Sequence, residues 1–336
     1  MTTPLLSVQG LDVTFPIMPR AAWPWTKPKG LQAVSQVDLT LDRGETLGLV
    51  GESGSGKSTL ARAIIGTVPV TAGQVTWKGK PITGLDASAR RKLGRHVQMV
   101  FQDPLAALNP RMTVGQIVAE PLLTHMPDLS TTERRNRVGA MLERVGLLPS
   151  LVNRYPHEFS GGQCQRIGIA RALVTEPELL ICDEPVSALD VSVQAQVVNL
   201  LADLQRDMGL SMLFIAHDLS VVRHVSTRIA VVYLGRLVET APAEDLIAAP
   251  RHPYTKALIA SIPVPDPVRE RARTRTALEG ELPSPLDPPS GCVFRTRCPI
   301  ARPACAEKRP ALIEEAPQHH VACPFHNDAP IEAETA

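Results

Sequence analysis

The chain has 336 residues, of which 44% are hydrophobic and 21% charged, and 35 Lys and Arg against 34 Asp and Glu leave a formal net charge of +1. This length predicts about two domains with enough apolar material for a buried core, and the balanced charge excludes a protein that binds nucleic acid through a broadly basic surface. No segment approaches the ~20 consecutive apolar residues of a membrane-spanning helix, and the first residues lack the features of a signal peptide, so we expect a chain that stays in the cytosol.

Short apolar runs predict strands at 46–50, 97–101, 179–182 and 212–216. Helical patterns lie between them, and this alternation indicates an α/β core with a mostly parallel sheet. Residues 103 to about 160 contain no convincing strand, which predicts a helical insertion into that core. Within it, Ser130 and Glu133 form a capping-box pattern, so a helix should begin there and end at Gly146.

The first predicted strand runs directly into a glycine-rich loop, Gly51-x-x-x-x-Gly56-Lys57-Ser58, and then into a helix. This is the context of a phosphate-binding P-loop, in which backbone N–H groups and the positive helix end bind phosphate oxygens. We expect Lys57 to reach the β- and γ-phosphates and Ser58 to bind Mg²⁺. The residues predicted to bind the nucleoside triphosphate here are Gly51, Ser53, Gly54, Ser55, Gly56, Lys57, Ser58 and Thr59.

Two later strands are predicted to end in ionisable side chains. The strand at 179–182 is followed by Asp183 and Glu184, and the strand at 212–216 by His217. Ligands of open α/β sheets bind at this edge. We expect Asp183 to hold Mg²⁺, Glu184 to orient and deprotonate the attacking water, and His217 to contact the γ-phosphate.

The run at 159–166, Phe-Ser-Gly-Gly-Gln-Cys-Gln-Arg, resembles the signature motif of ATP-binding-cassette (ABC) ATPases. Gln102 is similar to the Q-loop glutamine of that family, Ser187 to Asp190 to its D-loop, and His217 to its switch histidine. The resemblance covers residues 5–245 and implies a P-loop NTPase (RecA-like) core with an antiparallel β subdomain and a helical subdomain at about 103–165. Two residues depart from the usual signature, Phe159 and Cys164, and the effect of the second on a dimer contact is open.

In this family the signature faces the nucleotide of the other subunit, so the resemblance implies a dimer that encloses two ATP molecules. It assigns catalysis to Glu184, His217 and Gln102, and makes Gln102 a further ligand of Mg²⁺ and ATP. It also places Phe15 against the adenine. The residues that it assigns to the nucleotide from the signature and the D-loop are Ser160, Gly161, Gly162, Gln163 and Asp190.

Segments 100–110, 252–258 and 280–285 resemble the ATPases of oligopeptide and dipeptide importers. Of 31 prolines, 16 follow residue 240, which predicts a separate C-terminal regulatory domain at 246–336 after a nucleotide-binding domain at 1–245. The resemblance implies an ATPase that powers uptake of peptides or related solutes from the cytoplasmic face of the membrane. The partners it implies are an identical or different second ATPase subunit, two transmembrane permeases and an extracytoplasmic solute receptor, with no nucleic acid.

The tail contains Cys292, Cys298, Cys305 and Cys323. Four thiols in a proline-rich segment of a reducing compartment favour a metal centre that fixes the loops. Zinc sites usually contain close C-x₂₋₄-C pairs, which this tail lacks, whereas Cys-Pro steps are typical of iron–sulfur ligands. The importer tail resembles a [4Fe-4S] segment, with zinc or simply reduced thiols as alternatives. We expect Cys182 to lie in the core and His319 and His320 to lie on the surface.

Two other functions compete with this interpretation. A non-transport cassette ATPase of translation or DNA repair usually has tandem cassettes or a long coiled-coil insertion, and this chain has neither. A metal- or redox-sensing protein would use the cysteine tail as its active part, with the nucleotide domain as an accessory.

Overall fold

The computed structural model describes residues 3–18, 27–262 and 280–328. Its strands, in chain order, are β1 (Leu6–Ile17), β2 (Lys29–Leu41), β3 (Thr46–Val50), β4 (Ala72–Trp77), β5 (Lys80–Pro81), β6 (Val97–Val100), β7 (Leu179–Asp183), β8 (Ser211–Ala216), β9 (Arg228–Tyr233), β10 (Arg236–Pro242), β11 (Ile313–Ala316) and β12 (His319–Val321). Its α-helices are α1 (Lys57–Ile64), α2 (Ala87–Gly94), α3 (Pro104–Ala107), α4 (Val114–His125), α5 (Thr131–Arg144), α6 (Gly161–Leu173), α7 (Val191–Met208), α8 (Leu219–Val225), α9 (Ala243–Ala248), α10 (Pro253–Ala260) and α11 (Ala304–Glu307).

The chain forms two compact units. The first covers the described parts of Met1–Leu6, Thr40–Leu47 and Trp77–Ala216. The second covers the described parts of Ser7–Leu39, Gly48–Thr76 and His217–Ala336. Strand β3 is divided between the two units.

In the first unit the strand order is β3-β8-β7-β6. Strand β7 pairs in parallel with both neighbours, so that Leu179 lies opposite Val97 on one side and Ser211 on the other. All five residues of β7 are buried, as is usual for a parallel strand covered on both faces. This arrangement confirms the α/β core predicted from the alternation of strands and helices.

Between β6 and β7 all regular secondary structure is helical, in agreement with the helical insertion predicted at 103 to about 160. It contains α3 to α6 and two 3-10 helices, Pro149–Asn153 and Pro156–Glu158. The capping box at the start of α5 is confirmed, because the Ser130 hydroxyl accepts from the Glu133 N–H at 3.2 Å and the Glu133 carboxylate accepts from the Ser130 N–H at 2.8 Å. Local side-chain chemistry therefore sets where this helix begins.

In the second unit, β2, β1 and β4 are neighbours in one sheet, and a further set of strands has the order β11-β12-β10-β9-β3. Strand β10 pairs antiparallel with β9 and with β12, where Glu239 lies opposite Val321. The described tail residues 280–328 thus pack in the same unit as the glycine-rich loop. The boundary at residue 245 stays a prediction from composition.

The cysteine-containing tail has a small apolar core of its own. Ile300, Val321 and Cys323 are buried, and Cys298 and Phe325 pack against them. The apolar residues of this core are widely spaced along the chain, so no local sequence pattern marks it. Among the described helices, none has both the length and the apolarity needed to cross a membrane.

Candidate nucleotide-binding site

The glycine-rich loop between β3 and α1 folds tightly against neighbouring backbone. Gly54 and Gly56 have φ of 78° and 100°, a region that suits glycine because it lacks a Cβ. A Cβ on Gly51 would lie 2.1 Å from the carbonyl oxygen of Val232, and one on Gly56 would lie 2.2 Å from that of Ala33. These two positions therefore admit only glycine, and the loop keeps the bare backbone that a phosphate cradle needs.

Lys57 is enclosed by this loop. Its side chain is 3% exposed, and its ammonium group donates to the carbonyl oxygens of Gly51 at 2.7 Å and Glu52 at 2.8 Å. The Ser55 hydroxyl lies 3.4 Å away. Gly56 precedes α1 without a side-chain cap, and the positive end of the helix dipole and the lysine charge favour an anion at the same place.

Glu52, the second residue of the loop, is fixed by residues far along the chain. Its carboxylate forms a two-armed ion pair with the guanidinium of Arg297, at 2.8 and 3.1 Å, and its N–H donates to the Tyr254 hydroxyl at 2.9 Å. Sequence reasoning missed these partners. The only signal was an acidic residue inside the loop and a basic one beside Cys298, and no local rule joins them.

The acidic end of β7 brings two of the predicted catalytic residues together. Asp183 is fully buried, and Glu184 follows it with φ of 47°. The Gln102 side-chain amide donates to the Glu184 carboxylate at 3.0 Å, and the Glu184 N–H donates to the Ile215 carbonyl at 3.0 Å. A carboxylate held by an amide at a strand end is suited to orient a water molecule and accept its proton.

The Ser-Gly-Gly-Gln run forms the start of α6. The Ser160 hydroxyl accepts from the Gln163 N–H at 3.4 Å, and the Gln163 side chain accepts from the Ser160 N–H at 3.0 Å, which is a capping box. A Cβ on Gly162 would lie 2.5 Å from the Val193 side chain. Cys164 is buried, donates to the Pro156 carbonyl at 3.4 Å and has a pKa raised by burial, so it contributes to the core of its unit rather than to its surface.

The remaining predicted residues are distributed between the units. Asp190 precedes α7 without capping it through its side chain, and Gly161 starts α6; both belong to the first unit, with Gln102, Asp183 and Glu184. Phe15 is a partly buried residue of β1, and His217 follows β8. Phe15, His217 and the whole glycine-rich loop, including Ser53, Ser58 and Thr59, belong to the second unit.

The four tail cysteines are free thiols, and the pKa values of three of them, Cys292, Cys298 and Cys323, are raised. Burial, with smaller contributions from the neighbouring thiols, raises the pKa of Cys298 to about 12 and that of Cys323 to about 11. Cys292 is shifted in the same direction, mainly by burial and also by Cys305. Nevertheless, across residues 3–18, 27–262 and 280–328 no three His, Cys, Asp or Glu side chains are grouped closely enough to hold a metal ion.

The expectation that His319 lies on the surface is wrong. Its side chain is 4% exposed and its Nε2 lies 2.7 Å from the Glu239 carboxylate, which is fully buried. Pairing of β12 with β10 brings these two residues together, and a buried carboxylate needs such a partner. Cys182, in contrast, is a buried residue of β7 as predicted.

A lysine-containing glycine loop, a strand that ends in Asp and Glu, a glutamine on that Glu and a Ser-Gly-Gly helix start together define an ATP-binding cassette. The family described as ABC transporter matches residues 34–187, and the C-terminal region of the oligopeptide/dipeptide transporter family matches residues 238–305. The chain belongs to the ABC transporter family, and its enzymatic activity is that of an ABC ATPase.

Several relatives match nearly the whole chain. It is 62% identical to the oligopeptide transport ATP-binding protein OppF of Salmonella typhimurium over 90% of this chain and 91% of that protein, and 60% identical to OppF of Escherichia coli over 95% of each. AppF of Bacillus subtilis is 51% identical over 95% of this chain and 96% of that protein.

Solved cassettes share the fold. CbiO1 of Clostridium perfringens, described as part of an ABC transporter complex, superposes with a TM-score of 0.63 at 28% identity over 74% of this chain and 92% of that one. The cassette MJ0796, solved as a dimer with ADP and phosphate, gives 0.63 at 29% identity over 71% of this chain and 98% of that one.

Proposed function

We propose that this chain is the ATP-hydrolysing subunit of an importer for oligopeptides, dipeptides or chemically related solutes. The observation that carries the proposal is the 62% identity, over 90% of the chain, to a protein named for oligopeptide transport. In such an importer the chain lies peripherally at the cytoplasmic face of the membrane. It works with a second ATPase subunit, two transmembrane permeases and an extracytoplasmic receptor, which are separate polypeptides.

The glycine-rich loop binds the phosphates of ATP. Lys57 neutralises the β- and γ-phosphates, the loop N–H groups other than those of Glu52 and Ser55 hydrogen-bond them, and Phe15 stacks on the adenine. Ser58, Asp183 and Gln102 are the residues that would hold Mg²⁺, because this ion prefers hydroxyl, carboxylate and amide oxygens with several waters. When bound, it neutralises charge on the phosphate oxygens.

Glu184 orients the attacking water and accepts its proton. The hydrogen bond from Gln102 supports this role, because it fixes the carboxylate at the end of β7. His217 contacts the γ-phosphate side. Removing the carboxylate charge by Glu184→Gln leaves the shape of the side chain but removes the base, so we expect hydrolysis to fall by about a hundredfold or more.

The helix start at Ser160 to Gln163 and Asp190 of the D-loop serve the nucleotide held by the partner subunit. The dimeric state of the similar cassette MJ0796 supports this arrangement. The free N–H groups of a helix N-terminus suit the γ-phosphate. One chain then contributes two half-sites, and ATP closes the dimer.

A [4Fe-4S] cluster is the proposed occupant of the cysteine tail, with Cys292, Cys298, Cys305 and Cys323 as ligands. The four thiol donors and the two Cys-Pro steps of the tail support it. Zinc and simply reduced thiols are the alternatives, and the missing grouping of three ligands among the described residues counts against a cluster and zinc alike. A cluster would hold the loops of the tail in a fixed arrangement. Freshly isolated protein should then be brown and contain iron.

The test is Glu184→Gln saturated with Mg-ATP, alone and with its membrane complex. We expect retained ATP binding, a sedimenting dimer and arrested hydrolysis, and co-purification of two permeases and a solute receptor from native membranes. A variant that stays monomeric in both settings would refute the dimeric cassette. Recovery of ribosomes or DNA repair proteins, or an electron-transfer activity lost on Cys298→Ser, would instead support the competing functions.

A further inference from the structure

The glycine-rich loop is held in place by the cysteine-bearing tail. We define the cysteine segment as residues 291–298. Arg297, within it, contacts Glu52 with both arms of its guanidinium, at 2.8 and 3.1 Å. The Arg297 side chain is 7% exposed and that of Glu52 is 26% exposed, so the pair is shielded from water and its hydrogen bonds are of the strong, charge-assisted kind.

Glu52 connects this contact to Lys57, the lysine proposed to bind phosphate. Its carbonyl oxygen accepts from the Lys57 ammonium at 2.8 Å and from the Ser55 N–H at 3.2 Å. Its N–H donates to the Tyr254 hydroxyl at 2.9 Å. The N–H, the carbonyl and the carboxylate of Glu52 therefore all form hydrogen bonds. A rotation of this residue would move the carbonyl that orients Lys57.

An aromatic cluster makes the support rigid. Tyr254 and Phe294 are fully buried, and their ring centroids lie 5.4 Å apart. Tyr233 lies 4.7 Å from Tyr254 and 5.2 Å from Phe294, and its ring faces the Arg297 guanidinium at 6.0 Å. Phe294 belongs to the cysteine segment, so packing and charge from one segment act on the same loop residue.

The backbone of the cysteine segment in turn fixes Arg297. Its N–H donates to the Phe294 carbonyl at 3.0 Å, the Arg295 N–H to the Cys292 carbonyl at 3.2 Å, and the Cys292 N–H to the Cys305 carbonyl at 2.7 Å. Arg297 directly precedes Cys298. Whatever holds the cysteines together therefore also orients this arginine.

We propose that Arg297 is a positioning residue of the nucleotide site, which holds Glu52 and through it the Lys57 loop, so that order in the cysteine segment sets the affinity for Mg-ATP. The inference rests on the proposed role of Lys57 in binding phosphate. In this proposal the tail supports the glycine-rich loop. Loosening the cysteine segment would release the loop and weaken nucleotide binding without any change in the loop's own residues.

The experiment measures the Kd of the full-length chain for Mg-AMP-PNP by calorimetry. We expect Arg297→Ala and Glu52→Gln each to weaken binding about tenfold, the loss of a charge-assisted hydrogen-bonded pair. The double variant should be no weaker than the worse single variant, because both remove the same interaction. Arg297→Lys should restore only part of the affinity, since an ammonium group cannot make the two-armed contact.

Arg302→Ala is the matched control. Arg302 also forms an ion pair in the tail, with Asp328 at 2.7 Å, and lies over the Phe325 ring at 4.8 Å. Its loss should lower the melting temperature without changing the Kd. If Arg297→Ala does not fold, Glu52→Gln, which keeps the shape of the residue, carries the test.

A second measurement follows from the reciprocity of linked equilibria. Mg-AMP-PNP should slow amide hydrogen exchange at residues 291–298 in the native chain and in Arg302→Ala, but not in Glu52→Gln. Unchanged affinity in Arg297→Ala and Glu52→Gln, or fully additive effects, would overturn the inference. Failure of the unaltered chain to bind the nucleotide would instead count against the proposed function.

Discussion

His252 gives a prediction for the stability of the chain in acid. It caps α10, where its ring Nδ1 accepts from the Tyr254 backbone N–H at 3.1 Å. The backbone N–H of His252 donates to the Glu239 carboxylate at 2.9 Å. Burial, with smaller contributions from the positive charges of His326 and Lys256, lowers its pKa to about 3. A protonated ring could not accept the Tyr254 hydrogen bond, so the cap requires the neutral form.

The sign follows from comparing the folded and unfolded chains. In the unfolded chain His252 takes up a proton near pH 6.5, whereas in the folded chain it stays neutral down to about pH 3. Below about pH 6.5 the unfolded state therefore binds one more proton, and the free energy of unfolding falls by about 1.4 kcal/mol per pH unit. Between pH 6.5 and pH 5 this residue alone costs about 2 kcal/mol; above pH 6.5 its contribution is constant.

His252→Asn separates this effect from other titrations. The asparagine oxygen can accept the same capping hydrogen bond and does not titrate, but it leaves a space beside Phe294, whose ring lies 5.7 Å from the histidine. We expect a loss of about 1–3 kcal/mol at pH 7.5. That loss should shrink by about 2 kcal/mol at pH 5, because the native chain alone pays the protonation cost.

The assay is urea unfolding of both proteins from pH 7.5 to pH 5, with the difference in unfolding free energy as the readout. His157→Asn, at an exposed position, is the control and should follow the native profile. A difference between the native chain and His252→Asn that stays constant across this range would refute the reasoning, since it would mean that His252 does not resist protonation in the folded state.

Three further predictions concern packing and caps. Gly51→Ala should abolish Mg-ATP binding and destabilise the chain by about 3 kcal/mol, because the new Cβ meets the Val232 carbonyl. Gly54→Ala has open space around its new Cβ and should cost only the roughly 1–2 kcal/mol of its positive φ. Equal losses of unfolding free energy for the two variants in a urea titration would contradict this. Ser130→Ala should cost about 1 kcal/mol through the lost cap of α5 and leave ATP affinity unchanged by calorimetry. Phe294→Ala should cost about 3–5 kcal/mol and also raise the Kd for Mg-ATP; a normal Kd would separate the aromatic cluster from the loop.

Features encoded in short stretches of sequence were predictable. The glycine-rich loop, its lysine and the strand before it follow one another directly, and the left-handed φ of Gly54 and Gly56 explains why those residues are glycine. The capping box at Ser130 was equally local. The pairing of Gln102 with Glu184 was expected only through the family resemblance, because 82 residues separate them.

Features that depend on distant pairing were missed. Glu52 and Arg297 are 245 residues apart, and neither sits in a periodic pattern that identifies a partner. His319 was misjudged because a polar pair of histidines suggests a surface, although buried His319 and Val321 alternate with the less buried His320 as in a half-buried strand. Only the pairing of that short strand with β10 brings His319 to the buried Glu239.

The distance between Glu52 and Arg297 along the chain has a consequence for biosynthesis. The loop with Glu52 leaves the ribosome early, but the arginine that pairs with it is translated 245 residues later. A nascent chain therefore cannot complete the support of its phosphate-binding loop until the cysteine segment has emerged. Under the role proposed for Arg297, full ATP affinity is reached only after the cysteine segment has been translated.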